Sequence, residues 1–319
     1  MKNGAASAMT TALITHRDCL HHVTPPGHPE RVDRLRSLHQ RFANAEFDEL
    51  ARFEAPLGDV DSILRAHPQE YYDGIVRRQP TGGITSLDPD THMSPGSLDA
   101  ARRAVGANLL AVDLVMRKRV NNAFCAVRPP GHHAEAARAM GFCLFANVMI
   151  GALHALETYQ LNRVGIVDFD VHHGNGTSAL AWDDARIFFA SSHEMPLFPG
   201  TGDKSECGAH GQIVNVPLAS GTDGREFRQA MTSEILPALA DHKPEFIFIS
   251  AGFDAHHRDP LASLKWSEDD YFWATTAICD VADETCAGRV VSSLEGGYDL
   301  NGLQDAATAH LRALMNTAR

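Results

Sequence analysis

The sequence predicts a single α/β domain in which a central, mostly parallel β-sheet is flanked by helices on both faces. Two observations carry this expectation. From about residue 98 onward, short β-rich runs alternate with helix-period segments, the pattern of repeated βαβ units. Across residues 1–319 no repeat, low-complexity linker or composition shift marks a domain boundary. The chain is long for one domain, but α/β folds of this size are common as single units.

Strands are expected at AFCAV (123–127), RVGIVDF (163–169), RIFFAS (186–191), EFIFIS (245–250) and RVVSSL (289–294). Each is a short run rich in β-branched and aromatic residues bounded by polar or turn residues. Between them lie helical stretches near 99–118, 145–159, 175–183, 225–240, 268–284 and 302–316. The first hundred residues are less regular, with turn clusters at Thr24-Pro25-Pro26-Gly27 and Pro80-Thr81-Gly82-Gly83. They are expected to form loops and short helices over one edge or face of the sheet.

Composition excludes several classes of function. The hydrophobic fraction is 44% and no apolar run reaches the roughly 18 residues a membrane span needs, so a soluble protein is expected. The N-terminal segment lacks the apolar stretch of a secretory signal, and the six cysteines (Cys19, Cys125, Cys143, Cys207, Cys279, Cys286) form no C-x-x-C pair. Reduced thiols and a cytoplasmic location follow as expectations. A net charge of −12 spread along the chain disfavours nucleic acid and anionic membrane as partners. Histidine is the anomaly: there are 18, several in pairs (His21-His22, His132-His133, His172-His173, His256-His257), which points to metal or proton chemistry.

In open parallel sheets ligands bind beyond the carboxyl ends of the strands. Here AFCAV runs into Arg128-Pro129-Pro130-Gly131-His132-His133, and RVGIVDF into Asp168-Phe169-Asp170-Val171-His172-His173-Gly174-Asn175-Gly176. EFIFIS runs into Ala251-Gly252-Phe253-Asp254, and RVVSSL into Glu295-Gly296-Gly297-Tyr298. In an extended backbone Asp168, Asp170 and His172 fall on one side and can share one ion. Asp254 from another strand would complete a set of two carboxylates and one imidazole with Asp170 and His172, leaving positions open as a catalytic zinc requires. A lone aspartate after a strand is usually a helix cap, and a lone histidine usually a structural hydrogen-bonding residue. Four strand ends carrying such residues together outweigh that reading. Asp168 has an alternative role, orienting a histidine or holding a monovalent cation.

The motifs RPPGHH, GFCLFANV, VDFDVHHGNGTS, FPGTGD, AGFDAHHRDP and LEGGYD, with Cys19-x-x-His22 and Gly27-His28-Pro29-Glu30-Arg31, resemble the histone deacetylase family, nearest its class II and bacterial deacetylase-like amidohydrolase branches. The resemblance spans roughly residues 16 to 300. It implies the arginase/deacetylase α/β fold, one catalytic zinc on Asp170, His172 and Asp254, and hydrolysis of an acyl amide. By the same resemblance His133 matches the general base and acid, His132 its electrostatic partner and Tyr298 the oxyanion-stabilising hydroxyl. Gly141, Phe142 and Phe198 match the walls of a narrow tunnel. One or two potassium ions are implied, with one site on Asp168, Asp170, His172, Ser191 and Ser192. Arg31 matches an arginine lining an internal acetate pocket. Asn175 stands where class I relatives carry aspartate, and the acidic clamp on the substrate backbone is assigned to Asp90. The two glycines before Tyr298 are expected to leave that loop free to bring the hydroxyl in.

The expected substrate is an acylated lysine of a protein or peptide, with an acetylated polyamine as the alternative. Polyamine-selective relatives carry glutamate at the pocket rim where this chain has Leu261, which removes an attraction for a distant ammonium. A two-manganese ureohydrolase would need a D-x-H-x-D run, whereas this chain has D-x-D-x-H. A non-catalytic acyl-lysine binding module would not need His132, His133 and Tyr298.

Overall fold

A computed structural model describes residues 10–318. Its sheet has eight strands: β1 (Thr11–Thr15), β2 (Ala51–Glu54), β5 (Asn122–Cys125), β6 (Val164–Asp168), β7 (Ile187–Glu194), β8 (Ile213–Leu218), β9 (Ile247–Ala251) and β10 (Val290–Leu294), with β3 (Thr85–Ser86) and β4 (His92–Met93) forming a separate hairpin. The strand order is β2-β1-β5-β10-β9-β6-β7-β8, and every neighbouring pair is parallel. All eight C-terminal ends therefore emerge at one edge. The consecutive strands β5 and β6 are separated by β10 and β9, so the chain departs from them in opposite directions and opens a crevice between their ends.

The expected α/β architecture holds, and register explains why the motif residues meet. Asp168 pairs with Ser191 of β7 on one side and Ser250 of β9 on the other, while Cys125 of β5 pairs with Ser293 of β10. The strands end level with one another, so the residues that follow enter one space. In β5, β6, β7, β9 and β10 the Val, Ile, Phe and Ala side chains are buried, as a sheet covered on both faces demands.

One helix layer contains α1 (Val32–Phe42), α9 (Glu268–Cys286) and α10 (Leu300–Thr317); the other contains α4 (Ser97–Met116) and α5 (Asn147–Thr158). Shorter helices are α2 (Val60–Ile63), α3 (Gln69–Arg78), α6 (Asn175–Ala181), α7 (Gly224–Ala230) and α8 (Leu236–His242). Asp299 caps α10 by accepting from Gly302 N at 2.7 Å, so the helix begins directly after Tyr298. None of the described helices is long and apolar enough to cross a membrane.

Three expectations change. The N-terminal hundred residues contribute β1 and β2, which extend the sheet rather than only cover it. Their partners lie far away in sequence, β1 pairing with β2 and with β5. A third unexpected strand, β8, contains Pro217, which is tolerated because β8 lies at the sheet edge. The helix expected over 225–240 is divided into α7 and α8 by a π-turn at Met231–Ile235, with Pro237 in the first turn of α8.

Candidate active site

The backbone leaves the extended form after Asp168, so alternation does not carry all three residues of the D-x-D-x-H run to one ion. Asp168 turns toward His132, its Oδ2 standing 2.9 Å from Nδ1. Asp170, His172 and Asp254 converge instead, each offering a buried ligand atom within 4.8 Å of the others. Asp254 Oδ2 is buried without a well-aligned hydrogen bond, its nearest polar neighbour being His172 Nδ1 at 3.2 Å, an arrangement that a shared cation would satisfy. Glycine backbones close around the carboxylates: a Cβ on Gly252 would lie 2.0 Å from Asp170 Oδ2, and one on Gly296 2.1 Å from Asp254 Oδ2. Burial opposes charge on His172, but Asp170 and Asp254 outweigh it and raise its pKa to about 10. The pocket floor thus attracts positive charge, and its two carboxylates and one imidazole fit a divalent cation such as zinc.

The neighbouring histidines differ sharply although their ring centroids are 3.9 Å apart. Burial disfavours charge on His132, yet Asp168 and Asp170 overcome it and raise its pKa to about 10. For His133 burial acts in the same direction as the adjacent His132 and His172, and holds it well below its ordinary value. Its Nδ1 is 2.7 Å from Asn175 Oδ1. His133 is therefore a neutral imidazole at pH 7. The phenol of Tyr298 is held well above its usual range, first by burial and then by the nearby Asp254 and Asp170, with Arg34 opposing; it stays protonated.

His133, His172 and Tyr298 line a pocket of about 230 Å³ together with Asp90, Gly141, Phe142, Leu197, Phe198 and Leu261. Phe142 packs edge-on to Tyr298 on one wall and Phe198 edge-on to His133 on the other, with centroid distances of 5.8 and 5.1 Å. Gly141 and Phe142 both adopt positive φ, +54° and +68°. The Gly141 conformation is required, since a Cβ there would lie 2.3 Å from the His133 ring. Asp90 sits on the tip of the β3–β4 hairpin, where His28 Nε2 lies 3.0 Å from its carbonyl oxygen.

A sequence model described as histone deacetylase domain matches residues 28–314. The chain belongs to the histone deacetylase family. It is 36% identical to a probable deacetylase of Archaeoglobus fulgidus, covering 92% of this chain and 83% of that protein. It is also 36% identical to a histone deacetylase-like amidohydrolase of Pseudomonas aeruginosa, covering 86% of this chain and 74% of that one. The crystal structure of the HDA15 HD domain matches with a TM-score of 0.92 at 32% identity, over 97% of this chain and 90% of that chain. The protein is thus a hydrolase of the histone deacetylase family.

One assigned family residue is misplaced. Arg31 precedes α1 with its side chain 48% exposed, 3.8 Å from Asp33, and lines no internal pocket. The arginine buried against the Tyr298 loop is Arg34, one turn later. It is fully buried, donates to the carbonyl oxygens of Gly297 and Glu295 at 2.6 Å each, and stacks 4.9 Å from the Tyr298 ring centroid. Its Nη1 also meets Glu30, which bridges to the buried Arg128.

The loop before Tyr298 is held, not free. Gly296 N donates to Asp170 Oδ2 at 2.8 Å, Gly297 O accepts from Arg34, and Tyr298 N donates to Asp259 Oδ2 at 2.7 Å. Asp259 Oδ1 also accepts from Leu261 N at 3.0 Å, so one carboxylate fixes two pocket walls. Glu295 Oε2 accepts from Gly131 N and His132 N at 2.6 and 3.1 Å, anchoring the loop that carries His132 and His133. Arg34, Asp259 and Glu295 were not singled out from sequence, although Asp259 and Glu295 lie inside the quoted motifs. Cys143 is buried with its thiol pushed well above its usual range by burial, which makes it a poor nucleophile.

Proposed function

We propose that the protein is a zinc-dependent deacylase that hydrolyses the amide of an acylated lysine side chain. The observation that supports this most strongly is that one pocket is lined by the neutral imidazole of His133, the protonated phenol of Tyr298 and His172, the last of which belongs to a three-ligand cation site with the buried Asp170 and Asp254. A zinc ion on Asp170, His172 and Asp254 would supply Lewis acidity toward the amide carbonyl and acidify a water molecule. His133 removes a proton from the attacking water and returns it to the leaving amine. Tyr298 donates its hydroxyl hydrogen to the developing oxyanion. His132, held positive by Asp168, adds fixed charge beside the reacting groups. A potassium ion would draw on Asp168, Asp170, His172, Ser191 and Ser192, of which Ser192 Oγ is buried without a hydrogen-bond partner.

The walls formed by Phe142, Phe198, Leu197 and Leu261 suit an unbranched methylene chain, and Asp90 at the mouth suits the backbone amides of a peptide. The acetylpolyamine reading draws on the same Asp90, whose carboxylate can also face an ammonium. Leu261 argues for lysine, since it presents no charge at the rim. All six cysteines are free, in keeping with the cytoplasmic location we infer.

The test combines metal analysis with rates on an acetyl-lysine peptide and on acetylspermidine, before and after chelation. One zinc per chain and chelator-sensitive cleavage of the peptide, at a kcat/KM above that for acetylspermidine, are expected. Two manganese ions per chain, or zinc without hydrolysis of either substrate, would overturn the proposal.

A further inference from the structure

We propose that Glu135 is a positioning residue that fixes the proton on Nδ1 of His133 by locking the amide of Asn175 in one orientation. The inference rests on the deacylase reading, in which His133 Nε2 must face the reacting water as an acceptor. A neutral imidazole has two tautomers, and only the one protonated on Nδ1 leaves Nε2 free. The group facing Nδ1 chooses between them. Here that group is an amide, which can present either its oxygen or its nitrogen to the ring. With oxygen inward it accepts from Nδ1–H and favours the base. With nitrogen inward it donates to Nδ1, which moves the ring proton to Nε2 and blocks the base.

The asparagine alone does not make that choice; its surroundings do. Asn175 Oδ1 lies 2.7 Å from His133 Nδ1, while Nδ2 donates to Glu135 Oε1 at 2.8 Å and to Met140 Sδ at 3.4 Å. Both outward partners are acceptors. Rotating the amide would place its oxygen against a carboxylate oxygen at hydrogen-bond distance and leave its N–H groups facing the imidazole. An aspartate at position 175 would need no such lock, because both its oxygens accept. Glu135 is carried by a tight loop in which its own N–H and carbonyl pair with Arg138, so its position does not depend on its side chain. The relay runs from a half-buried carboxylate through a buried amide to the buried base.

The distinguishing substitution is Glu135→Gln, whose side chain can accept or donate and so satisfies either orientation of Asn175. In zinc-loaded enzyme labelled with ¹⁵N-histidine, wild type should show His133 protonated on Nδ1. Glu135→Gln and Glu135→Ala should both show an added population protonated on Nε2. Their kcat on an acetyl-lysine peptide should fall about 10-fold, with zinc content and KM unchanged. In an Asn175→Asp background the sign reverses. Glu135 then faces a second carboxylate, and Glu135→Gln, which supplies a donor, should raise kcat. An unchanged His133 tautomer in both single variants, or an effect of Glu135→Gln with the same sign in both backgrounds, would overturn the proposal. Absence of any hydrolysis by wild type would instead remove the deacylase reading, while the tautomer spectra still decide the role of Glu135.

Discussion

His132 and His310 are both buried, yet the protein drives them to opposite charge states. His310 lies between α9, α10 and the sheet, with Nδ1 2.6 Å from Thr275 Oγ1 and Nε2 2.8 Å from Ser292 Oγ. Burial alone lowers its pKa to about 3. His132 suffers the same burial but has Asp168 at 2.9 Å, with Asp170 and Glu295 nearby, and its pKa rises to about 10. A buried histidine is thus neutral by default, and carboxylates placed at strand ends make it cationic. High histidine content points to chemistry only where those carboxylates gather. His67, His193 and His310 are structural, each lowered by burial to between about 3 and 4.

The contrast is broken most severely by deleting a carboxylate at the strand-end cluster. Asp254→Ala should lose the metal and lower kcat/KM on an acetyl-lysine peptide by on the order of 1,000-fold or more. Full zinc retention in that variant would remove Asp254 from the ligand set. Next in size is Tyr298→Phe, which removes a donor and no ligand. It should keep zinc and fold while kcat falls by about 100-fold. An unchanged kcat would show that the phenol does not meet the oxyanion.

Leu261→Glu tests the mouth of the pocket, where a carboxylate would face substrate rather than histidine. The ratio of kcat/KM for acetylspermidine to that for an acetyl-lysine peptide should rise by about 10-fold. No change would mean that Leu261 does not select substrate. Asn175→Asp brings a carboxylate to His133, converting its surroundings toward those of His132. The pKa of His133 should rise, moving the acidic limb of kcat/KM to higher pH by about one unit. A limb that stays in place or moves down would show that His133 is not the titrating base.

The smallest effect is expected in the core. His310→Leu should leave kcat unchanged and cost about 1–2 kcal/mol of stability at pH 7, through loss of the bonds to Thr275 and Ser292. The native pKa of His310 is depressed to about 3 from 6.5, so the unfolded state binds the additional proton between those values. Wild-type stability should therefore fall as pH drops from about 6.5 toward 3, and His310→Leu should flatten that slope. Denaturant melts at pH 7 and pH 4.5 measure both effects.

Much of the candidate site was legible because its residues follow strands in a parallel sheet, where one topological rule sends every strand end to the same edge. Asp170, His172 and Asp254 could be named as one ligand set from such positions, whereas the roles of His133 and Tyr298 came from the family resemblance of their motifs. The direction of a side chain is another matter. Arg31 and Arg34 differ by one helical turn, and only Arg34 shares the buried face of α1 with Leu35, Leu38 and Phe42. That apolar stripe was the available signal.

The sequence by itself determined the layered α/β fold and the chemical inventory of the site, since periodicity and strand-end placement are local properties of the chain. Tertiary structure alone decided which histidine Asp168 orients, that Asp259 and Arg34 hold the Tyr298 loop, and that Glu135 reaches Asn175. Each of these is a contact between segments whose side-chain directions depend on turns after the strands. Burial then decides which of them carry charge, because removing water makes each nearby carboxylate count.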